Sequence, residues 1–94
     1  MSKVLLVDDQ CFMTSSTTNE PIKYMLEIVE GALLEQGFNV DYALDFQSGL
    51  TKAQQGQYDC VILDLDLPDM LWQDVPAEWF KHLPHQCTIM FSGL

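Results

Sequence analysis

The stretch VILDLDLPD, residues 61–69, joins an aliphatic run to three aspartates. An apolar run that is followed closely by a proline is typical of a strand buried on both faces of a parallel sheet. Asp64 would end that strand, and the carboxyl ends of parallel strands open onto the crevice where ligands bind. We therefore expect a cationic ligand close to Asp64.

A second stretch of the same kind lies near the start of the chain. The run from Val4 to Val7 is continuous and apolar, and Asp8 and Asp9 follow it directly. It predicts another buried strand with acidic side chains at its carboxyl end. The first and third strands of a doubly wound sheet are commonly neighbours, so both strand ends would contribute to one cluster of carboxylates.

The remaining segments predict helices that alternate with strands. Apolar residues recur at helical spacing after the candidate N-cap Asn19, and Gly37 ends this pattern. Asp45 and Gly56 are the corresponding start and stop of a shorter second helix. Alternating strands and helices imply a parallel sheet with right-handed crossovers. The predicted helices lie at 20–36, 45–55 and 73–83, and the other strands lie at 38–44, an expected edge strand, and at 87–94.

The amino-acid composition limits the number of domains, the partners and the location to be expected of this protein. A chain of 94 residues with 48% hydrophobic residues is large enough for one small core and too short for two. We therefore expect a single domain over residues 1–94. A net charge of -10 argues against nucleic acid and anionic membranes as partners, because both would be repelled. The three scattered cysteines favour a reducing, cytoplasmic location, and no apolar run is long enough to span a membrane.

The carboxylates at the two strand ends indicate a chemistry. Three carboxylates that lie close together cannot all stay ionised without a counter-charge. Oxygen ligands with no nearby His or Cys favour Mg²⁺, so Asp8, Asp9 and Asp64 are candidate ligands. A carboxylate beside such an ion can also attack a phosphoryl group and form an aspartyl phosphate. Asp64 is the candidate nucleophile.

These residues resemble the receiver domain of two-component response regulators. VLLVDDQ (4–10) is similar to the first strand and acidic pair of that family, YDCVILDLDLPDM (58–70) to its third strand and phosphorylation loop, and TIMFSG (88–93) to its fourth strand. The resemblance covers nearly the whole chain. It implies an α/β fold with a doubly wound parallel sheet of the flavodoxin-like receiver type, incomplete here, with four strands in the order 2-1-3-4 and three helices.

The resemblance also implies roles for individual residues. Asp64 would be the phosphoacceptor, and Ser92 would contact the phosphoryl group through its hydroxyl. The implied Mg²⁺ ligands are Asp8, Asp9, Asp64 and the backbone carbonyl of Asp66. The side chains of Asp66 and Asp69 would then be solvated. The implied partner is a sensor histidine kinase or a phosphotransfer protein, and any enzymatic activity would be limited to self-phosphorylation from a donor and slow autodephosphorylation.

The sequence departs from the family pattern after the fourth strand. Receivers continue through a further helix, a fifth strand that begins near a Lys, and a fifth helix, whereas this sequence ends at Leu94 and all four of its lysines precede the fourth strand. We expect Ile89–Phe91 to form an open hydrophobic edge that is covered in a homodimer or by a partner protein. Leu71 and Trp72 stand where the family has Asp-Gly, and residues 14–19 resemble an insertion.

Two other functions fit parts of the pattern. Without the Lys, the chain would be a pseudo-receiver that mediates interaction or dimerisation and is not productively phosphorylated. The pair Asp64-x-Asp66 also resembles the nucleophile and acid–base pair of haloacid-dehalogenase-like phosphatases, although in that family the motif ends the first strand and here it ends the third.

Two further side chains are expected in the core. Trp79 shares one helical face with Val75 and Leu83, which favours packing against the sheet. Cys60 begins the predicted third strand and is expected to be a buried core residue.

Overall fold

The computed structural model describes residues 2–9 and 29–91. The elements are β1 (Lys3–Val7), α1 (29–35), β2 (Asn39–Ala43), α2 (Phe46–Gln55), β3 (Cys60–Asp64), α3 (Val75–His82) and β4 (Thr88–Phe91). Within the described residues the four strands form one sheet in the order β2-β1-β3-β4, and every neighbouring pair runs parallel. The predicted parallel sheet and its strand order are therefore confirmed.

The first predicted helix is described only in its second half. Its candidate N-cap Asn19 and the segment 14–19 lie outside the described residues. α1 ends at residue 35, and Gly37 follows with a φ of +84°, a left-handed conformation that glycine adopts without a steric cost. Gly37 is thus the stop that the sequence indicates. No helix within the described ranges is long and apolar enough to cross a membrane.

The two outer strands of the sheet that the structure describes are β2 and β4. β2 pairs with β1 and, among the described residues, with no other strand, which confirms the edge position expected for residues 38–44. β4 pairs with β3 and, within the described part of the chain, has no second neighbouring strand. Ile89 is 56% exposed, and Met90 and Phe91 are half-buried. The protein surface that covers this edge stays a prediction.

Both ends of α2 are set by the residues that the sequence indicates. Asp45 is the N-cap, and its Oδ1 accepts hydrogen bonds from the backbone N of Ser48 at 2.7 Å and from its Oγ at 2.6 Å. These hydrogen bonds lower the pKa of the Asp45 carboxyl. At the other end, the backbone N of Gly56 donates to the carbonyl of Lys52 at 2.7 Å. These capping contacts therefore fix both ends of α2. The helix packs on β1 and β2.

The hydrophobic core lies between the sheet and the helices α2 and α3. Trp79 of α3 is fully buried, which confirms its predicted place in the core. Cys60 is only half-buried, contrary to expectation, because it begins β3 at the amino end of the sheet, beside the exposed Cys87. The core residues are Leu5, Val7, Ala43, Val61 and Leu63 on the strands, Phe46, Leu50, Ala53, Val75 and Trp79 on the helices, and Leu67 in the loop after β3.

Gly49 allows α2 to lie close to β1. A Cβ at this position would lie 2.9 Å from both methyl carbons of Val7, a residue that is itself fully buried. Gly49→Ala is therefore expected to lower the free energy of unfolding by about 1–2 kcal/mol, because overpacking outweighs the gain in helix propensity. Urea denaturation measures this value.

Gly31 of α1 provides the matched control. A Cβ there meets no atom within 4 Å, so Gly31→Ala is expected to raise the free energy of unfolding by up to about 1 kcal/mol. Equal effects of the two substitutions would contradict the close approach of α2 to β1.

Candidate functional site

The acidic side chains that end β1 and β3 form one cluster. Val7 pairs with Leu63 in the register of the two strands, so Asp8 and Asp64 follow at the same edge of the sheet. One carboxylate oxygen from each of Asp8, Asp9 and Asp64 lies within 4.8 Å of the other two. The structure thus brings together the three acids that the sequence indicates.

The cluster is largely shielded from solvent. Asp8 is fully buried and Asp64 is 3% exposed, whereas Asp9 is exposed. The backbone N of Asp8 donates to the carbonyl of Ala43 at 2.9 Å, which extends the ladder between β1 and β2 to the cluster. The backbone N of Asp66 donates to Oδ1 of Asp64 at 3.0 Å. These two hydrogen bonds hold the buried acids in place.

Burial changes the acidity of the cluster. It raises the pKa of the Asp64 carboxyl, and the neighbouring charges of Asp66 and Asp9 raise it further, although hydrogen bonds from the Asp66 backbone and with Asp8 act in the opposite direction. Burial likewise raises the pKa of Asp9, and the charge of Asp66 adds to this effect. The ionised cluster is therefore under electrostatic repulsion that a bound cation would relieve.

The donor atoms of the cluster suit one class of cation. All three groups offer carboxylate oxygens, and no His or Cys joins them among the residues that the structure describes. Hard oxygen ligands of this kind fit Mg²⁺, which is bound by one or two carboxylates and keeps other positions for water or phosphate oxygens. Asp8, Asp9 and Asp64 could therefore hold this ion.

Two predicted members of the site are not tested by this geometry. Ser92 lies outside the described residues, although Phe91 before it is the register partner of Asp64. The backbone carbonyl of Asp66 follows Asp64 in the same loop, and its role as a metal ligand stays a prediction. The side chain of Asp66 is exposed, as expected.

Asp69 has a structural role that sequence reasoning missed. Its two carboxylate oxygens accept hydrogen bonds from the backbone N atoms of Phe46 at 2.8 Å and of Gln47 at 3.0 Å. An acid at the start of a helix satisfies free N–H groups and complements the helix dipole, so Asp69 is more than a solvated loop residue. It ties the loop that follows Asp64 to the first turn of α2. The sequence offered one signal for this contact, the general preference for acidic residues at the start of a helix. That preference does not identify Asp69, because Asp69 is distant along the chain from the start of α2.

Comparison with curated proteins identifies relatives of part of the chain. No protein-family profile matches it. The chain is 33% identical over 67 residues to the aerobic respiration control sensor protein ArcB of Escherichia coli K12, and 33% identical over 70 residues to the response regulator ArlR of Staphylococcus aureus Mu50. These matches cover 71% and 74% of this chain but only 9% of ArcB and 26% of ArlR. The chain thus spans a small part of each relative.

Comparison with solved structures extends the likeness to the whole chain. The response regulator protein TrrA of Thermotoga maritima, solved in complex with Mg²⁺-BeF, aligns with a TM-score of 0.72 at 29% identity, covering 100% of this chain and 71% of that one. TrrA in complex with the histidine kinase ThkA aligns with a TM-score of 0.70 at 29% identity, covering 98% of this chain and 69% of that one. The predicted flavodoxin-like fold class is thereby confirmed.

Proposed function

The chain is a response regulator receiver domain by sequence relationship and by fold, and we propose on this basis that it accepts a phosphoryl group on Asp64. The observation that carries the proposal is the position of Asp64. It ends a central strand, is 3% exposed, and has the carboxylates of Asp8 and Asp9 within 4.8 Å. A nucleophilic carboxylate needs such a held and partly desolvated position.

The transfer forms one bond and breaks one bond. An oxygen of the Asp64 carboxylate attacks the phosphorus of a phosphohistidine donor, and the phosphorus–nitrogen bond breaks. The donor imidazole leaves as a neutral base after taking up a proton, and Asp64 becomes an aspartyl phosphate. Because the backbone N of Asp66 donates to Oδ1 of Asp64, we assign the attack to the second oxygen. This donation orients the carboxylate before the donor arrives.

Asp8, Asp9 and Asp64 would hold Mg²⁺, with the backbone carbonyl of Asp66 as a further ligand. When bound, the ion supplies positive charge that offsets the charge on the phosphoryl oxygens. The proposal is supported by the all-oxygen donor set and by the raised pKa values of Asp9 and Asp64. The relative TrrA was solved with Mg²⁺-BeF.

The remaining assignments complete the proposed function. Ser92 contacts the phosphoryl group through its hydroxyl, and residues 1–94 act as one domain in the cytoplasm. The donor is a sensor histidine kinase or a phosphotransfer protein, a partner class supported by the complex of TrrA with ThkA. A second copy of the chain or a partner protein covers Ile89–Phe91 on the outer edge of β4.

A comparison of two phosphate donors tests this function against its alternatives. Wild type and Asp66→Asn are incubated with Mg²⁺ and either phosphoramidate, which has a phosphorus–nitrogen bond, or p-nitrophenyl phosphate, which is an ester. Both proteins are expected to gain one phosphoryl group from phosphoramidate, to extents that agree within about twofold. Neither is expected to turn over the ester faster than Asp64→Asn does.

Each contrary outcome would assign the chain to a different functional class. Ester turnover that is lost in Asp66→Asn would identify a phosphatase, because that chemistry needs the Asp66 side chain as acid and base. Absence of incorporation in a folded protein that binds Mg²⁺ would identify a pseudo-receiver. The Asp66→Asn variant keeps the backbone N–H and carbonyl of residue 66, so it removes only the side-chain charge.

A further inference from the structure

Two thiols face each other at the amino ends of β3 and β4, whereas the acidic cluster lies at the carboxyl end of the sheet. Val61 pairs with Thr88 in the register of β3 and β4, so Cys60 and Cys87 form the next pair toward the amino ends of these strands. Their Sγ atoms lie 3.3 Å apart, and both thiols are free. The acidic cluster lies at the carboxyl ends of β1 and β3, so the thiol pair belongs to a different part of the molecule.

The backbone around the pair is held by hydrogen bonds. The backbone N of Val61 donates to the carbonyl of Cys87 at 2.9 Å. Nε2 of Gln86 donates to the carbonyls of Tyr58 at 3.1 Å and of Cys87 at 3.2 Å. Neighbouring strands lie roughly 4.8 Å apart, which falls within the range of Cα separations that disulfides span. A bond between the two sulfur atoms therefore needs little movement of the backbone.

The two thiols differ in accessibility. Cys87 is exposed, whereas Cys60 is half-buried. Burial is the main cause that raises the pKa of the Cys60 thiol to about 11, and the neighbouring Cys87 thiol adds to this effect. A small-molecule disulfide can therefore reach Cys87 first. Cys60 is then placed to attack a modified Cys87 from 3.3 Å without a search through the chain.

We propose that Cys60 and Cys87 are a thiol–disulfide modification site, in which a glutathione-type disulfide converts the pair into a reversible bond between β3 and β4. The Cys87 thiolate attacks one sulfur of the oxidant, and the other half leaves as a thiolate. Cys60 loses its proton and attacks the Cys87 sulfur, which expels the second thiolate. Two protein thiols are oxidised and one small-molecule disulfide is reduced to two thiols, which take up the two protons.

The bond would act on the outer strand of the sheet. It would join the amino ends of β3 and β4 and so hold β4 against the sheet, while Asp64 and Phe91 lie at the other ends of the two strands. The acidic cluster is therefore expected to keep its Mg²⁺ response after oxidation. This site is independent of the proposed phosphoryl transfer, and either proposal can fail without the other.

Intact mass and peptide mapping after treatment with oxidised glutathione test the proposal. All proteins carry Cys11→Ser, because Cys11 lies outside the described residues and would allow other pairings. The folded protein is expected to lose about 2 Da, with a linked peptide that contains residues 60 and 87, and dithiothreitol is expected to reverse the change. Closure is expected to be at least about tenfold faster in the folded protein than in urea, because the fold holds the thiols together.

Single-thiol variants provide the controls. Cys60→Ser is expected to accumulate a glutathione adduct on Cys87, and Cys87→Ser is expected to accumulate the adduct on Cys60 at least about tenfold more slowly, because that thiol is half-buried. A lasting glutathione adduct on Cys87 in the protein that keeps Cys60 would overturn the proposal. Equal closure rates in the folded and the urea-unfolded protein would also overturn it.

Discussion

Without Mg²⁺, Asp64→Asn is expected to be more stable than the wild type by about 1–3 kcal/mol at neutral pH. Asp64 is 3% exposed and its carboxylate lies within 4.8 Å of those of Asp8 and Asp9, so its ionised form is repelled in the folded state. Asn has nearly the same shape and keeps an oxygen that can accept the hydrogen bond from the Asp66 backbone. The substitution thus removes the repulsion and keeps the packing.

The sign of the pH dependence follows from the raised pKa of Asp64. A carboxyl whose pKa is raised on folding binds its proton more tightly in the native state, so the wild type loses stability as pH rises from the ordinary pKa of Asp to the raised value. Above the raised pKa the loss is complete. The stability advantage of Asp64→Asn should therefore shrink in acid and grow as the pH rises through this window.

Mg²⁺ is expected to reverse the order of stability. At an Mg²⁺ concentration roughly 1,000 times its Kd, the wild type gains about 4.1 kcal/mol, whereas Asp64→Asn lacks one ligand charge and gains much less. Urea denaturation in EDTA and in Mg²⁺ measures both effects. Asp74→Asn is the matched control, because Asp74 is exposed and makes no side-chain capping bond. If Mg²⁺ stabilises Asp64→Asn as much as the wild type, Asp64 is not a ligand.

Trp79→Ala is expected to lower the free energy of unfolding by about 3–5 kcal/mol. The Trp79 side chain is fully buried, and its ring meets that of Phe46 edge to face at 5.8 Å between centroids. Its Nε1 donates to Oγ1 of Thr88 at 2.9 Å. One side chain thus joins α3 to α2 and to β4, and its removal leaves a large cavity where these elements meet.

Trp72 provides a control of the same residue type. It is 63% exposed, so Trp72→Ala is expected to change the free energy of unfolding by less than about 0.5 kcal/mol. Trp79→Phe should have an intermediate effect, because it keeps most of the ring and loses the hydrogen bond to Thr88. The free energies of unfolding are compared by denaturation in the presence of Mg²⁺, so that all three variants are folded at the start of the experiment. Similar losses for Trp79→Ala and Trp72→Ala would contradict the described core.

The parts of the fold that the sequence predicts are those that local chemistry determines. Continuous aliphatic runs that end at Asp8 and Asp64 indicate buried strands, and parallel pairing then brings the acids together. The cap at Asp45 and the stop at Gly37 likewise depend on neighbouring residues. Each of these features could be inferred within a few positions of the chain.

The contacts that sequence reasoning missed join distant parts of the chain. Asp69 binds the first turn of α2 although it lies more than 20 residues further along the chain, and its own neighbours give no reason to expect this. The closeness of Cys60 and Cys87 depends on the register of β3 and β4, which hydrophobic patterning does not fix to one residue. The half-burial of Cys60 was missed for a similar reason. Its position in a predicted strand does not reveal that this end of the sheet is exposed to solvent.

Phosphorylation of Asp64 is tested most directly by mapping the modified residue after incubation with phosphoramidate and Mg²⁺. The wild type is expected to gain about 80 Da, and borohydride reduction of the acyl phosphate should convert residue 64 to homoserine. Asp64→Asn is expected to gain nothing under the same conditions, and EDTA should suppress the gain in the wild type. Phosphate on another residue, or an undiminished gain in Asp64→Asn, would contradict the assignment of Asp64 as the acceptor.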